Sequence, residues 1–337
     1  ISINSYSQNI QNSQSSDSIA NIVNLDEVTV NSVRARDNSP LPFVNISKKD
    51  LEKTNLAQDI PTLLKNTPSV ITTSFPGAGI GYSSIRVRGS DPSRVNVTIN
   101  GVPYNDSESM GVWWVNLPDF ASSIESIQIQ RGVGTSTNGS AAFGGSLNIQ
   151  TNAASDIASF EINNTLGSFS TIKNSVGFST GFINDKFELS GRLSRIKSGG
   201  YIDRSGSKLR SYFLQGVYKD SNTLLKLLNF AGHELTDQAW FGIDASTLES
   251  NRKYNPAGEY YDKNGNIQYY NNQDEDYKQD HYQIHWNQSY ENGWISNFGL
   301  LFSVFIIFFS VRNLRDNEIL DKKIISFTFI QFFFVII

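Results

Sequence analysis

Few side chains in this chain are of the types, at the spacings, that do covalent or metal chemistry. It has no Cys and only 3 His in 337 residues. Thiolate metal sites, cysteine nucleophiles and disulfide scaffolds are excluded, and the redox compartment is left open. His281 and His285 fall on one side of a strand by parity, with no third ligand in reach along the sequence. They read as exposed or pore-lining polar groups, and no metal site is expected. Gly77-Ala78-Gly79-Ile80-Gly81 lacks the Lys and the spacing of a phosphate-binding loop. No Ser-His-Asp constellation stands out, so an enzyme is not expected, nor a cofactor. Trp113-Trp114 follows a loop with Asp106 and Glu108; the pair can stand at a loop apex or in a core, and packing is the reading preferred. With Lys+Arg 28 against Asp+Glu 32, the net charge is -4. No basic surplus points to nucleic acid.

The elements that carry these residues come in four textures. Residues 1-24 hold seven Ser, five Asn and three Gln, too polar to offset the entropy of ordering, and read as a disordered N-terminal arm or tether. Ile1 is not a start residue, so a preceding segment, a secretory signal among the options, is expected. From 25 to 152 the chain mixes short helices and strands. Ser47 with Asp50 three residues on predicts a helix start, and Asp59 with Pro61 predicts a second. Strands are expected at Val70-Thr73, Ile85-Arg88, Val95-Ile99, Ile124-Arg131 and Leu147-Thr151, and Asn100-Gly101 is a hairpin signal.

From 158 to 299 the period becomes two. Ile172, Val176 and Phe178 alternate with Lys173, Ser175 and Ser179. Phe187, Leu189 and Leu193 alternate with Glu188, Ser190 and Arg192. Tyr282, Ile284 and Trp286 alternate with Gln283, His285 and Asn287. Segments of about ten residues, apolar on one side and polar on the other, predict transmembrane β-strands. A soluble β-sandwich also alternates, but segment length, aromatic content and loop asymmetry favour the membrane. Strands are expected near 158–167, 171–182, 187–197, 209–219, 223–231 and 277–290, with a seventh from Trp294. Turns at 184–186, 220–222 and 291–293 are tight, whereas 198–208 and 232–276 are long. Residues 300-337 lose both turn chemistry and alternation. They predict an apolar tail foreign to the fold, a short hydrophobic anchor being the other option.

Four ordered blocks then carry a resemblance: Ile85-Arg86-Val87-Arg88-Gly89, Val97-Thr98-Ile99-Asn100-Gly101-Val102-Pro103, Ile124 through Gly132, and Ala142-Phe143-Gly144-Gly145-Ser146-Leu147-Asn148-Ile149. Together they resemble the plug domain of TonB-dependent outer-membrane receptors, over 43-152, with 158-299 as the first barrel strands. Val133 departs from the Pro common in the family. The fold class this implies is an α+β plug domain followed by an antiparallel transmembrane β-barrel portion, incomplete at about six to seven strands.

The resemblance implies roles as well. Asp26-Glu27-Val28-Thr29-Val30, within 25-31, resembles the TonB box, an extended segment that adds a strand to the TonB protein. Arg88 and Arg131 match the arginines that lock plug to barrel glutamates on later strands. Gly79, Tyr82 and Trp113 would lie on plug loops facing the ligand. The function implied is energised uptake of a scarce small-molecule ligand across the bacterial outer membrane, a ferric siderophore first, with vitamin, nickel or glycan open. The partners implied are TonB and outer-membrane lipid. The rival expectation is a non-transporting remnant, because six or seven strands cannot close such a barrel and open edges in lipid are costly. On that argument the polypeptide as given is expected not to transport.

Overall fold

The computed structural model describes residues 2–6, 33–36, 39–134, 142–270, 273–291, 295–312 and 319–336. The first element, β1 (Ser2–Tyr6), lies within the arm expected to be disordered, yet it pairs antiparallel with the strand at 158–167. Its backbone finds a ladder there despite the polar sequence.

The α+β unit follows in the order β2 (Phe43–Ser47), α1 (Lys48–Thr54), α2 (Ile60–Leu63), β3 (Val70–Ser74), β4 (Ser83–Val87), β5 (Val95–Ile99), β6 (Val102–Pro103), β7 (Ile124–Arg131) and β8 (Gly145–Thr151). Ser47 caps α1 by accepting from the Asp50 N–H, as its position predicts. Asp59 stands at the N-cap of α2, but its side chain makes no capping hydrogen bond. The five-stranded sheet runs β2-β7-β8-β5-β6, with β5 and β8 parallel and the other pairs antiparallel. Asn100 and Gly101 turn β5 into β6 at φ +53° and +79°, the positive pair this hairpin needs. A separate hairpin joins β3 and β4.

The large sheet is built from β9 (Ala158–Gly167), β10 (Thr171–Thr180), β11 (Phe187–Ser198), β12 (Ser207–Lys219) and β13 (Thr223–Asp237). After them come α3 (Ala245–Ser250) and a β14–β15 hairpin (Glu259–Tyr261, Ile267–Tyr269) within the longest loop. The sheet then resumes with β16 (Asp274–Ser289), β17 (Ile295–Arg312) and β18 (Ile319–Ile336). Its order is β1-β9-β10-β11-β12-β13-β16-β17-β18, antiparallel throughout, with β1 and β18 at its two edges. Within 300–337, expected as an apolar tail foreign to the fold, the described residues form strand: Ser296 to Arg312 pairs with Ile336 to Ile319. A continuous apolar run carries no period, so parity cannot reveal it, while an open neighbouring ladder can still recruit it.

Alternation resolves into two faces. Leu193, Phe187, Leu189, Phe178, Trp286 and Leu166 are exposed on the outer face, where hydrocarbon would cover them. Inward positions are polar and buried against the α+β unit: Lys173, Ser175, Glu188, Arg192, Gln215, Lys226, Glu234, His281, Gln283 and Asn287. Amid these, Phe213, Leu228 and Phe230 from the wall join one hydrophobic cluster with Ile85, Val97, Ile127, Leu147 and Trp114 of the plugging unit. No helix among the described residues is long and apolar enough to cross a membrane.

Candidate functional site at the plug and barrel wall

The segment 116–123 brings the α+β unit against the sheet. Gly232 of β13 is needed for this approach, since a Cβ there would lie 2.1 Å from the Asn116 carbonyl oxygen. Asp119 adopts a left-handed conformation, φ +53°, before a 3-10 turn over Phe120–Ser123. Its carboxylate is wholly buried and faces two wall cations. Lys173 of β10 donates to Oδ1, and Arg192 Nη1 of β11 donates to Oδ2 at 3.0 Å. Ser122 Oγ donates to Oδ1 at 2.6 Å, Arg192 Nε donates to Ser123 Oγ at 2.8 Å, and Ser211 Oγ donates to the Pro118 carbonyl at 2.7 Å. Burial alone would raise the Asp119 carboxyl, but Lys173 and Arg192 outweigh it and hold the group at about 2. A buried charge cluster with both carboxylate oxygens engaged fixes one docking geometry. A polar cavity of about 310 Å³ adjoins it, between Asn55, Asn152, Glu161, Ser175 and Glu188.

Asp119 escaped the sequence reading. Parity alone puts Lys173 and Arg192 on the polar side of their strands, but nothing local marks a carboxylate 54 and 73 positions earlier as their partner.

Arg88 and Arg131, which the resemblance pairs with carboxylates on later strands, both stand on the plug. Arg88 is exposed at φ +54°, with its guanidinium over Gly132. Arg131 is half-buried at the end of β7, and its Nε has no hydrogen-bond partner. Among the described residues neither forms an ion pair. Asp26-Glu27-Val28-Thr29-Val30 lies outside the described residues.

The expected ligand-facing residues separate. Gly79 is buried against α2: it accepts from the Asp59 N–H at 2.8 Å, and a Cβ on it would lie 2.9 Å from Thr62 Cγ2. It is a packing position and does not face outward. Tyr82 and Trp113 lie together at the rim of the long loops. Their ring centroids are 6.1 Å apart, and Trp240 of the 238–273 loop is 5.1 Å from Tyr82 on another side. The Tyr82 hydroxyl donates to Glu234 Oε1 at 3.2 Å. Burial, followed by the Glu234 and Glu275 carboxylates, pushes this phenol well above its ordinary value. Nearby, Tyr201 and Ile202 of the 199–206 loop donate to the Pro76 carbonyl. The Trp pair splits: Trp114 is 3% exposed and packs in the core, while Trp113 is 52% exposed.

His281 and His285 face inward as their parity predicts. His281 bridges Tyr104 Oη at 3.0 Å and Ser303 Oγ at 2.7 Å, and His285 meets Gln283 at 3.2 Å. Among the described residues no three His, Cys, Asp or Glu side chains gather to hold a metal.

Comparison with known proteins agrees with this geometry. Residues 35–146 match the family model of the TonB-dependent Receptor Plug Domain. Vitamin B12 transporter BtuB of Vibrio vulnificus is 31% identical over 176 residues, 52% of this chain and 28% of that protein. Probable TonB-dependent siderophore receptor PirA of Acinetobacter baumannii is 33% identical over 116 residues, 32% of this chain and 15% of that protein. Among solved structures, the ferric citrate transporter FecA superposes with TM-score 0.63 at 16% identity, covering 82% of this chain and 41% of that one. The crystal structure of PirA from Acinetobacter baumannii gives TM-score 0.55 at 18% identity, covering 85% and 43%. These superpositions show the fold. The chain spans about a quarter of the B12 transporter's length and under half of either solved chain.

Proposed function

We propose, from the premise that this chain is of the TonB-dependent outer-membrane receptors by its plug domain and its barrel-type sheet, that it serves energised uptake of a ferric siderophore. The observation that carries this is the plug's seat against a wall that is apolar outside and polar within. In such an arrangement the ligand binds at the long-loop rim, where Tyr82 and Trp113 meet Trp240. A pull on the plug from the opposite side then opens a path along the polar wall, with no covalent step. Asp26 to Val30 is the segment we assign to TonB, which would take it as an added strand and turn backbone hydrogen bonds into traction. The siderophore reading follows PirA. The second reading, uptake of vitamin B12, follows the likeness to BtuB over 176 residues.

The test is equilibrium binding to the folded chain in detergent, with ferric siderophores and cyanocobalamin as parallel probes. Saturable binding of a ferric siderophore supports the first reading. Binding of cyanocobalamin alone replaces it with the second. For the partner, Val28→Pro should abolish cross-linking to TonB and leave ligand binding unchanged; retained cross-linking would remove the assignment of 26–30.

A further inference from the structure

We infer that the seat at the long-loop rim takes a neutral or cationic complex that presents hydrogen-bond donors and a flat apolar face, and that it turns away polyanionic ferric catecholates. This rests on the receptor reading above and adds the charge class of the ligand. The seat is built from both halves of the molecule. Tyr82 and Trp113 come from the plug, Trp240 and Phe241 from the loop after β13. Tyr82 is nearly buried, its ring closed in edge-on by both indoles, while Trp113, Trp240 and Phe241 keep 52%, 37% and 50% of their surface open. Trp240 and Phe241 lie nearly parallel, at 22°. Open aromatic faces around a closed ring form a platform for a flat or apolar ligand surface, and they favour a cation over an anion because the ring face is electron-rich.

The floor of the seat is acidic. Glu234 is 1% exposed and is held by the Tyr82 and Thr236 hydroxyls. Glu275 stands beside it through the Thr236–Glu275 register of β13 and β16. Neither forms an ion pair with a described Lys or Arg. Residues 238–276 carry seven Asp and Glu against three Lys and Arg. Two basic side chains near them are engaged elsewhere: Arg204 lies 3.5 Å over the Tyr269 ring, and Lys253 lies 5.4 Å over the Tyr201 ring. A trianionic complex lowered onto this floor meets Glu275 and a loop whose acidic side chains outnumber its basic ones, whereas an ammonium or amide donor meets oriented carboxyl acceptors.

The experiment is quenching of the chain's tryptophan fluorescence in detergent by ferric desferrioxamine B, a monocation, and ferric enterobactin, a trianion. The monocation should bind at least about tenfold tighter at low salt, and the gap should shrink as salt screens the floor. A Glu234→Gln, Glu275→Gln double variant, which keeps the hydroxyl partners, should bring the trianion's affinity up toward the monocation's. Equal or tighter binding of the trianion by the unaltered chain, abolished by Trp113→Ala with Trp240→Ala, would overturn the charge inference and leave the receptor reading standing. Binding of either probe that is indifferent to the loss of both indoles would remove the seat and leave the receptor reading standing. Binding of neither probe would overturn the inference, with the cyanocobalamin measurement then deciding the receptor reading.

Discussion

Asp119 is the residue on which plug docking turns. Replacing it with Asn leaves Lys173 and Arg192 buried beside an uncharged group, which should cost about 3 to 5 kcal/mol in denaturant unfolding. A double-mutant cycle of Asp119→Ala with Arg192→Ala should return a coupling well above the value for exposed pairs. The pH dependence follows from the sign of the shift. A carboxyl held at about 2, below its ordinary value, contributes stability that is fully present above the unfolded-state value near 4. That stability is lost as pH falls toward 2. The loss should be about 2 kcal/mol between roughly pH 5 and 2, and Asp119→Asn should flatten that limb of the stability curve. At this scale the sequence was only partly legible. The shared face of His281 and His285 follows from parity, and Tyr82 and Trp113 do meet at a rim. Asp119 was hidden, because a tertiary ion pair leaves no local pattern. Gly79 misled for the opposite reason: a glycine-rich run looks like a mobile loop, but here one glycine packs under a helix.

Strands were the most legible elements, since a wall with lipid on one side and a polar interior on the other imposes period two. β9 to β12 and β16 fall within a few residues of their expected bounds, and β13 extends six residues further, to Asp237. Where both faces lose the contrast, the signal vanishes: the start of β17 was expected from Trp294, but its run past 299 and the whole of β18 went unread for that reason. The alternation makes a directional prediction. Leu193→Lys, on the outer face of β11, should destabilise folding into lipid vesicles by about 2 to 4 kcal/mol if it lies near the midplane. Heat-modifiable migration on gels should fall accordingly. Inward Ser190→Ala on the same strand should leave insertion unchanged; equal losses for both would deny that the outer face meets hydrocarbon. Gly232→Ala makes a second element-scale test. The added methyl has no room against Asn116, so protease resistance of the plug should drop while the strands still form.

At the scale of the whole molecule, one rim carries tight turns and the other carries loops of up to some 36 residues, from Gln238 to Gln273. In cells, the long-loop rim should face the medium. The chain has no Cys, so single replacements report cleanly. Asn264→Cys in the β14–β15 turn should react with a membrane-impermeant maleimide on intact cells, and Asp185→Cys in a tight turn should react only after lysis. The reverse pattern would invert the topology. The hydrophobic cluster that joins Phe213, Leu228 and Phe230 of the wall to the plug's own interior has a mechanical corollary. The insert's centre extends into the wall, so drawing it out whole would bare grease on two surfaces at once. A tether pulling from below would meet far less resistance by unravelling strand after strand from one end than by ejecting a rigid stopper.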